Sequence, residues 1–243
     1  MSLGFLIPDC AAERLVCARS PMERSAVHAG ARLERREGWS LPESYGEPAP
    51  ERARLLETVG FADRSNLAKL ELQAEPRTLA RIVAQASGGF VLEPTIAARS
   101  RGVWWCPVTP ARVLAFGEPG SGGAALEELA QATECARGTT TLVDQTCGLA
   151  ALSLVGPGAR ELLARFCAID VRPSAAPVAA FRPGSVARTP GYVLVEAEDR
   201  LLVLVGWALG EYLWRVVADA AAHLGGGPVG AAALGHHMRM TDA

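Results

Sequence analysis

An internal repeat is the feature that most constrains the fold of this chain. The stretches VGFADRSNLAKLELQAEPRTLARIV (59–83) and TLVDQTCGLAALSLVGPGARELL (141–163) follow one plan. Each has an aspartate, one residue, a hydroxyl residue, a short spacer, an apolar strand and a helix start marked by proline. Asp63 corresponds to Asp144, 81 residues later, and Leu70 corresponds to Leu152, 82 residues later. Such a repeat predicts two copies of one supersecondary unit.

The first copy has the periodicities of a β-α-β-β-α-β unit. Alternation in LAKLELQA, residues 67–74, predicts a strand that buries its even-numbered apolar residues and leaves Lys69, Glu71 and Gln73 on a solvated face. The next segment, EPRTLARIVAQASGG, has helical spacing of its apolar residues. Two short strands follow in VWWCPV and ARVLAFG, then a helix in GGAALEELAQATECARG and a strand in TTTLV.

The second copy repeats this order. LAALSLV predicts a strand, GPGARELLARFCAI a helix, SVARTPGYVLVEA and RLLVLVG a hairpin, ALGEYLWRVVADAAAHLGGG a helix, and PVGAAAL a last strand. The two units together predict an α+β domain at 59–243 made of duplicated ferredoxin-like β-α-β-β-α-β units, with repeats at 59–141 and 142–234. Residues 1–58 are predicted to form an N-terminal extension, a loop and then a helix from about Ala49 to Val59, that packs on this domain.

Composition argues against several classes of function. The chain has 243 residues and a formal net charge of −2, which gives no electrostatic basis for nucleic-acid binding. Its six cysteines form no C-x-x-C pair and no cluster with histidine, which predicts no metal site and favours a reducing, cytoplasmic compartment. No uncharged apolar window is long enough to span a membrane, and the first 20 residues lack the pattern of a signal peptide. No G-x-G-x-x-G opens a helix, so no flavin or nicotinamide site is expected in this chain.

Three polar residues are candidates for chemistry or ligand binding. Asp63 and Asp144 are the repeated carboxylates, but each precedes a hydroxyl residue at a strand entrance, which favours a turn built on the Asp side chain over catalysis. Arg188, in VARTPG, is predicted on a hairpin strand. There its guanidinium either binds the carboxylate of a ligand, pairs with a neighbouring acid or faces solvent.

Four aromatic residues lie where they could contact a ligand or a partner. Trp39 and Tyr45 fall in the predicted loop GWSLPESYG, where they either cap an edge of the core or line a ligand pocket. Tyr212 and Trp214 are two residues apart on one helix and therefore face different sides. Placing Tyr212 on the buried stripe directs Trp214 outward, and a large exposed aromatic side chain predicts a protein interface.

Several of these motifs resemble a known family. AGARLERREGWSLPESYG and VGFADRSNLAKLEL resemble the GGW-x-x-P-x-x-Y and G-x-x-D-x-S-x-x-x-K stretches of glycine-cleavage T-proteins (aminomethyltransferases). The second half resembles the gamma subunit of heterotetrameric sarcosine oxidase. The Gly156-Pro157 helix entry, the F-x-P-G-x-x-A-x-T motif of residues 181–189 and the Y-L-W of residues 212–214 carry that likeness.

The resemblance implies a T-protein-type folate-binding fold and tetrahydrofolate as a candidate ligand, bound by Trp39, Tyr45 and Arg188. It implies an accessory subunit in tetrahydrofolate-linked oxidation of N-methylated amino acids, with Trp214 contacting a flavoprotein amine oxidase subunit. No catalytic residue is carried over, because the Gly88-Gly89 pair leads into a stretch that lacks the aspartate of the T-protein turn. The alternatives are a stand-alone aminomethyltransferase-like enzyme and a folate-dependent assembly factor.

Overall fold

The computed structural model describes residues 17–118, 123–136 and 138–241. Residues 1–16, on which the signal-peptide prediction rests, lie outside this description. The architecture is mixed α+β with three sheets. The helices are α1 (Glu23–His28), α2 (Pro48–Glu57), α3 (Pro76–Ser87), α4 (Gly123–Glu134), α5 (Ala159–Ala164), α6 (Gly210–Ala222) and α7 (Ala231–Thr241). The strands are β1 (Ala18–Arg19), β2 (Arg32–Arg36), β3 (Trp39–Ser44), β4 (Gly60–Asp63), β5 (Ala68–Ala74), β6 (Ala98–Ser100), β7 (Val103–Thr109), β8 (Arg112–Gly117), β9 (Thr140–Asp144), β10 (Leu149–Val155), β11 (Phe181–Val186), β12 (Thr189–Ala197), β13 (Arg200–Gly206) and β14 (Gly227–Pro228).

Two large sheets stack face to face, and helices cover their outer faces. The first sheet has the strand order β6-β7-β8-β5-β9, and the second has the order β11-β12-β13-β10-β4-β14. Side chains of β7 and β8 pack against those of β10 to β13 in a core between the sheets, where Phe181 and Tyr192 stack with ring centroids 5.5 Å apart. Helices α3 and α4 cover the first sheet, and α1, α5 and α6 cover the second. This layering buries both faces of each sheet.

The predicted helix after β5 is confirmed and shows why the sequence folds this way locally. Glu75 accepts a hydrogen bond from the Thr78 backbone N–H at 3.1 Å, and Pro76 occupies the first turn. Gly88 ends α3 with φ 80°, in the left-handed region that glycine adopts without strain. The apolar residues whose spacing predicted this helix, Leu79, Ile82, Val83 and Ala86, are fully buried.

Each large sheet includes a strand that lies, in the sequence, just before a long strand of the other sheet. β9 of the first sheet precedes β10 of the second, and β4 of the second sheet precedes β5 of the first. β9 pairs with β5 in the first sheet, with Leu70 opposite Asp144. β4 pairs with β10 in the second sheet, with Leu152 opposite Asp63. The two pairings are antiparallel and join the same positions of the sequence repeat, because Leu70 corresponds to Leu152 and Asp63 to Asp144.

The predicted solvated face of β5 is wrong at two of its three positions. Lys69 is fully buried and Glu71 is buried, whereas Gln73 is exposed as predicted. Alternation in the sequence marks two chemically different faces but does not say what covers the polar one. Here the second sheet covers it, and the buried charges are satisfied by hydrogen bonds and ion pairs.

The predicted last strand in PVGAAAL is also largely wrong. Only Gly227–Pro228 forms a strand, β14, which pairs in parallel with β4. The edge of β10 that a longer last strand would occupy is taken by β4, and the alanine-rich residues that follow form α7 instead.

The segment GWSLPESYG was predicted to be a loop, but it contains β3. β3 pairs with β2 through a turn at Glu37 and Gly38, whose φ values of 50° and 78° are typical of a tight hairpin. β1 pairs only with Trp39 and Ser40 on the other side. Pro42, which has no N–H to donate, therefore lies in a part of β3 that β1 does not flank.

The predicted strand SVARTPGYVLVEA is divided in two. Ala187 and Arg188 have positive φ values of 48° and 62° and form the turn between β11 and β12. Arg188 is therefore at the tip of a hairpin, not on a strand. The predicted turn at EDR is confirmed, since β12 ends at Ala197 and β13 begins at Arg200.

Candidate functional site

The three predicted ligand residues lie in different surroundings. The Trp39 side chain is buried, with its ring centroid 6.1 Å from that of Trp207. Tyr45 follows β3 and its ring lies 6.2 Å from that of Trp214. Arg188 is exposed at the β11–β12 turn. The cavities described below are lined by other residues. Trp39 and Tyr45 therefore pack at an edge of the core, which is one of the two interpretations that the sequence allowed.

The prediction that Trp214 points outward is wrong. Trp214 is 3% exposed and makes an edge-on contact with Phe61, with ring centroids 5.0 Å apart, whereas Tyr212 is 44% exposed. The buried stripe of α6 is centred on Leu213 and Val217, and Trp214 lies on its inner flank. A buried ring in this position belongs to the core, so the argument for a protein interface at Trp214 no longer applies.

The two repeated aspartates build equivalent turns. Asp63 Oδ1 accepts a hydrogen bond from the Ser65 N–H at 2.9 Å, and Asp144 Oδ1 accepts one from the Thr146 N–H at 2.8 Å. This is the Asp-centred turn that the sequence favoured. The hydroxyl of Ser65 also accepts a hydrogen bond from the Ala151 N–H at 3.2 Å, which fixes the turn to β10.

Lys69, the only lysine of the chain, joins these two turns. Its Nζ donates to the backbone oxygens of Ser65 at 2.9 Å and Leu67 at 2.8 Å, both before β5, and of Thr146 at 3.1 Å, between β9 and β10. Burial lowers the pKa of Lys69 to about 8, and the charge of Asp63 opposes that shift. The ammonium group thus satisfies three carbonyl groups at the point where the two repeats meet.

Because Lys69 is fully buried, it should report unfolding of the whole chain. We expect an amine-reactive acetylating reagent to modify the native protein at its α-amino group only, and to modify Lys69 only when denaturant unfolds the chain. Peptide mass spectrometry across a urea titration measures this directly, with the α-amino group as the internal control. Fast modification of Lys69 in the absence of denaturant would contradict the burial.

A network of buried charges lies beside this junction. The Arg64 side chain is 7% exposed and forms ion pairs with Glu118 and with Glu196, whose Oε2 lies 3.3 Å from Arg64 Nη1. Glu196 Oε2 also lies 3.5 Å from Arg200 Nε. Arg64 Nη1 further donates to the Ser153 hydroxyl at 3.3 Å. These contacts connect the β4–β5 turn to the end of β8 and to the second sheet.

A cavity of about 270 Å³ opens next to this network. It lies between the β2–β3 hairpin, the β4–β5 turn, the end of β8 and α7. Both signs of charge and an apolar wall meet there, so the cavity combines polar and apolar groups that could contact a small ligand. The lining residues are Arg36, Glu37, Leu41, Asp63, Arg64, Asn66, Glu118, Ala231, Leu234, Gly235 and Met238.

Two titratable groups near the cavity have perturbed pKa values. Burial raises the pKa of Asp63, although hydrogen bonds from Ser20 and Ser65 and the charge of Lys69 partly oppose this. Burial and the charge of Asp63 raise the pKa of Tyr45, whose buried hydroxyl has no hydrogen-bond partner among the described residues. The arginines that line the cavity are already paired, Arg64 with Glu118 and Glu196 and Arg36 with Glu43. This pairing favours binding or structural support over proton transfer.

Sequence reasoning found Asp63 but not the residues around it. Arg64 and Lys69 lie inside the repeated motif, and a single lysine in a chain rich in arginine was a signal that could have identified the junction. Glu118 and Glu196 carried no sequence signal, because long-range pairing brings them to Arg64.

Two broader features of the described ranges bear on function. Within 17–118, 123–136 and 138–241, no three His, Cys, Asp or Glu side chains are grouped as a metal ion would require. Over the same residues, no helix has both the length and the apolar character needed to cross a membrane.

Comparison with known proteins assigns the family. A family model described as the sarcosine oxidase, gamma subunit family matches residues 74–223. No curated protein sequence matches the chain.

Two solved structures show the same fold. A chain of the heterotetrameric sarcosine oxidase from Corynebacterium sp. U-96, in complex with pyrrole 2-carboxylate, matches with a TM-score of 0.65 and 21% identity over 85% of this chain and 96% of that chain. The glycine cleavage system aminomethyltransferase T from Bartonella henselae matches with a TM-score of 0.71 and 16% identity over 89% of this chain and 60% of that chain. The resemblance of the sequence motifs to the sarcosine oxidase gamma subunit and to the glycine-cleavage T-protein is thus confirmed. Since the family model covers more than half of the sequence, this chain belongs to the sarcosine oxidase gamma subunit family.

Proposed function

We propose that this chain is the gamma-like accessory subunit of a sarcosine oxidase-type complex. The observation that carries the proposal is the family match over residues 74–223, together with a fold that accounts for 96% of the matched chain of a heterotetrameric sarcosine oxidase. In this proposal a flavoprotein amine oxidase subunit performs the oxidation of an N-methylated amino acid, and the complex passes the released carbon to tetrahydrofolate.

The accessory role is supported by the placement of the predicted ligand residues. Trp39 and Tyr45 pack in the core edge, and Arg188 is exposed at a hairpin turn. Buried ion pairs occupy the charged groups nearest the repeat junction. This arrangement favours a chain that supports a complex over one that binds folate by itself.

We also infer that the two large sheets descend from one duplicated β-α-β-β-α-β unit. The order β7-β8-β5-β9 in the first sheet is the order of a ferredoxin-like unit, and β12-β13-β10-β4 repeats it with β4 in the last place. The matching pairs Leu70–Asp144 and Leu152–Asp63 support a common ancestor, because they place the same repeat positions opposite each other.

Co-purification tests the accessory role. When the tagged chain is isolated from its native cells, we expect it to elute in fixed stoichiometry with a flavin-containing chain, in a complex that oxidises an N-methylated amino acid. Flavin absorbance, peptide mass spectrometry and oxygen consumption measure the three properties. The same tag expressed alone is the control for nonspecific capture.

The alternative is a stand-alone aminomethyltransferase-like protein, which the fold likeness to aminomethyltransferase T supports. It predicts that the isolated chain binds tetrahydrofolate tightly in calorimetry and that Trp39 fluorescence responds to the ligand. Tight folate binding by a chain that elutes without any flavoprotein would overturn the accessory role.

A further inference from the structure

An apolar groove lies between α2 and α7, with an arginine, Arg52, on its lining. Two of the most exposed large apolar side chains of the described residues lie there, Leu56 on α2 at 66% and Met240 on α7 at 72%. Between them is a cavity of about 190 Å³, bounded also by Leu55, Ala233 and the two histidines of α7. An apolar cavity of about 150 Å³ holds a benzene ring, so this one is large enough for one large apolar side chain.

Arg52 lies at the centre of the groove. It lines the cavity beside Leu56 and also a second cavity of about 130 Å³ towards Pro48. Among the described residues Arg52 has no ion pair, unlike Arg101, which binds Glu128 through two nitrogens.

The two carboxylates that line the second cavity with Arg52 already have partners. Glu51 accepts hydrogen bonds from the backbone N–H groups of Tyr45 at 2.7 Å and Gly230 at 2.6 Å. Glu43, which lines the second cavity, pairs with Arg36. The groove is thus apolar at its floor and carries the positive charge of Arg52.

We propose that this groove docks an acidic segment of the flavoprotein subunit, which inserts one large apolar side chain between Leu56 and Met240 and places a carboxylate on Arg52. The inference rests on the proposed function, since it needs a partner chain. Charge complementarity selects the acidic segment, because an unpaired guanidinium beside an apolar cavity attracts a carboxylate and repels a basic chain. The apolar side chain supplies the buried centre that stable interfaces require.

Surface variants of the complex test the proposal. Leu56→Asp and Met240→Asp place a charge in the apolar cavity, and Arg52→Glu reverses the charge of the arginine. All three positions are exposed, so the fold should tolerate them. Val91→Asp, at a site that is also 72% exposed but distant in sequence from both helices, is the matched control for Met240→Asp. Arg77→Glu, on the exposed side of α3, is the control for Arg52→Glu.

With purified flavoprotein subunit titrated onto each full-length variant, we expect binding to weaken roughly tenfold or more at each groove position and to stay unchanged for the two controls. Crosslinking of the wild-type complex should map the groove to an acidic segment of that subunit. Unchanged binding by the three groove variants would overturn the docking site, and the accessory role would stand.

Two other outcomes also decide the matter. If the wild-type chain binds no flavoprotein subunit at all, the accessory role itself fails. If the chain alone forms a dimer by light scattering that Leu56→Asp dissociates, the groove binds a second copy and the acidic segment is excluded.

Discussion

Replacing Arg64 by leucine is expected to lower the free energy of unfolding by about 3–5 kcal/mol, because it leaves the buried carboxylate of Glu196 without one of its cations. Arg64 is 7% exposed and Glu196 is 3% exposed at the side chain, so the ion pair is largely shielded from water. The substitution also removes the guanidinium that connects the β4–β5 turn to Glu118 and Ser153. Urea unfolding followed by fluorescence measures the change.

Arg101→Leu is the matched control for this measurement. Arg101 forms a two-nitrogen pair with Glu128, but both side chains are about 40% exposed. Solvent screens such a pair, so we expect a loss of at most about 1 kcal/mol. Equal effects of the two substitutions would show that burial of the Arg64 network contributes little to stability.

Replacing Trp214 by alanine is expected to cost about 3–5 kcal/mol, the usual cost of removing a large aromatic side chain from a core. The ring is 3% exposed and contacts Phe61. Tyr212→Ala, two residues away on the same helix, removes a side chain that is 44% exposed and one hydrogen bond to the Ala187 oxygen at 3.1 Å. We expect that variant to lose only about 1 kcal/mol.

Thermal unfolding of the two variants distinguishes a core residue from an interface residue. If Trp214→Ala keeps the wild-type melting temperature and Tyr212→Ala loses stability, the phase of α6 assigned from the sequence was correct and the burial described here is wrong. The control Leu56→Ala, at a site that is 66% exposed, should leave the melting temperature within the range of ordinary surface substitutions.

The helix α6 illustrates what periodicity can and cannot fix. Leu213 and Val217, at the centre of its apolar stripe, are buried. The apolar arc of this helix is wide, and both Tyr212 and Trp214 flank its centre, so a rotation of one position exchanges them. Which flank turns inward is decided by the ring of Phe61 on β4, a contact between residues far apart in the chain.

The strand β5 shows the same limit for sheets. Alternation correctly predicted a strand with Leu72 on its buried apolar face, but it also predicted a solvated face at Lys69 and Glu71, which are buried. Glu71 is held by Arg112 at 2.6 Å from β8, and Lys69 by carbonyl groups of both repeats. A buried charge and a solvated charge look alike in a sequence, because the difference lies in partners that tertiary structure supplies.

The candidate site was predictable only where its signal was local. The Asp63 and Asp144 turns use residues two positions apart, and the sequence favoured them correctly. The grouping of Trp39, Tyr45 and Arg188 came from a resemblance, and the structure gives each of them a separate environment. Long-range pairing creates the network of Arg64, which no local pattern encodes.

The crossed pairing of β4 with β10 and of β9 with β5 has a consequence for how this gene can change. A break in the chain just before Thr140 would separate β9 from the first sheet and β4 from the second. Each fragment would then expose an unpaired strand edge, which promotes aggregation. The first sheet is nevertheless contiguous in the sequence, from β5 to β9, whereas the second is divided into β4 before it and β10 to β14 after it. A single deletion of residues 68–144 would therefore remove the first sheet whole, whereas no single deletion removes the second sheet alone.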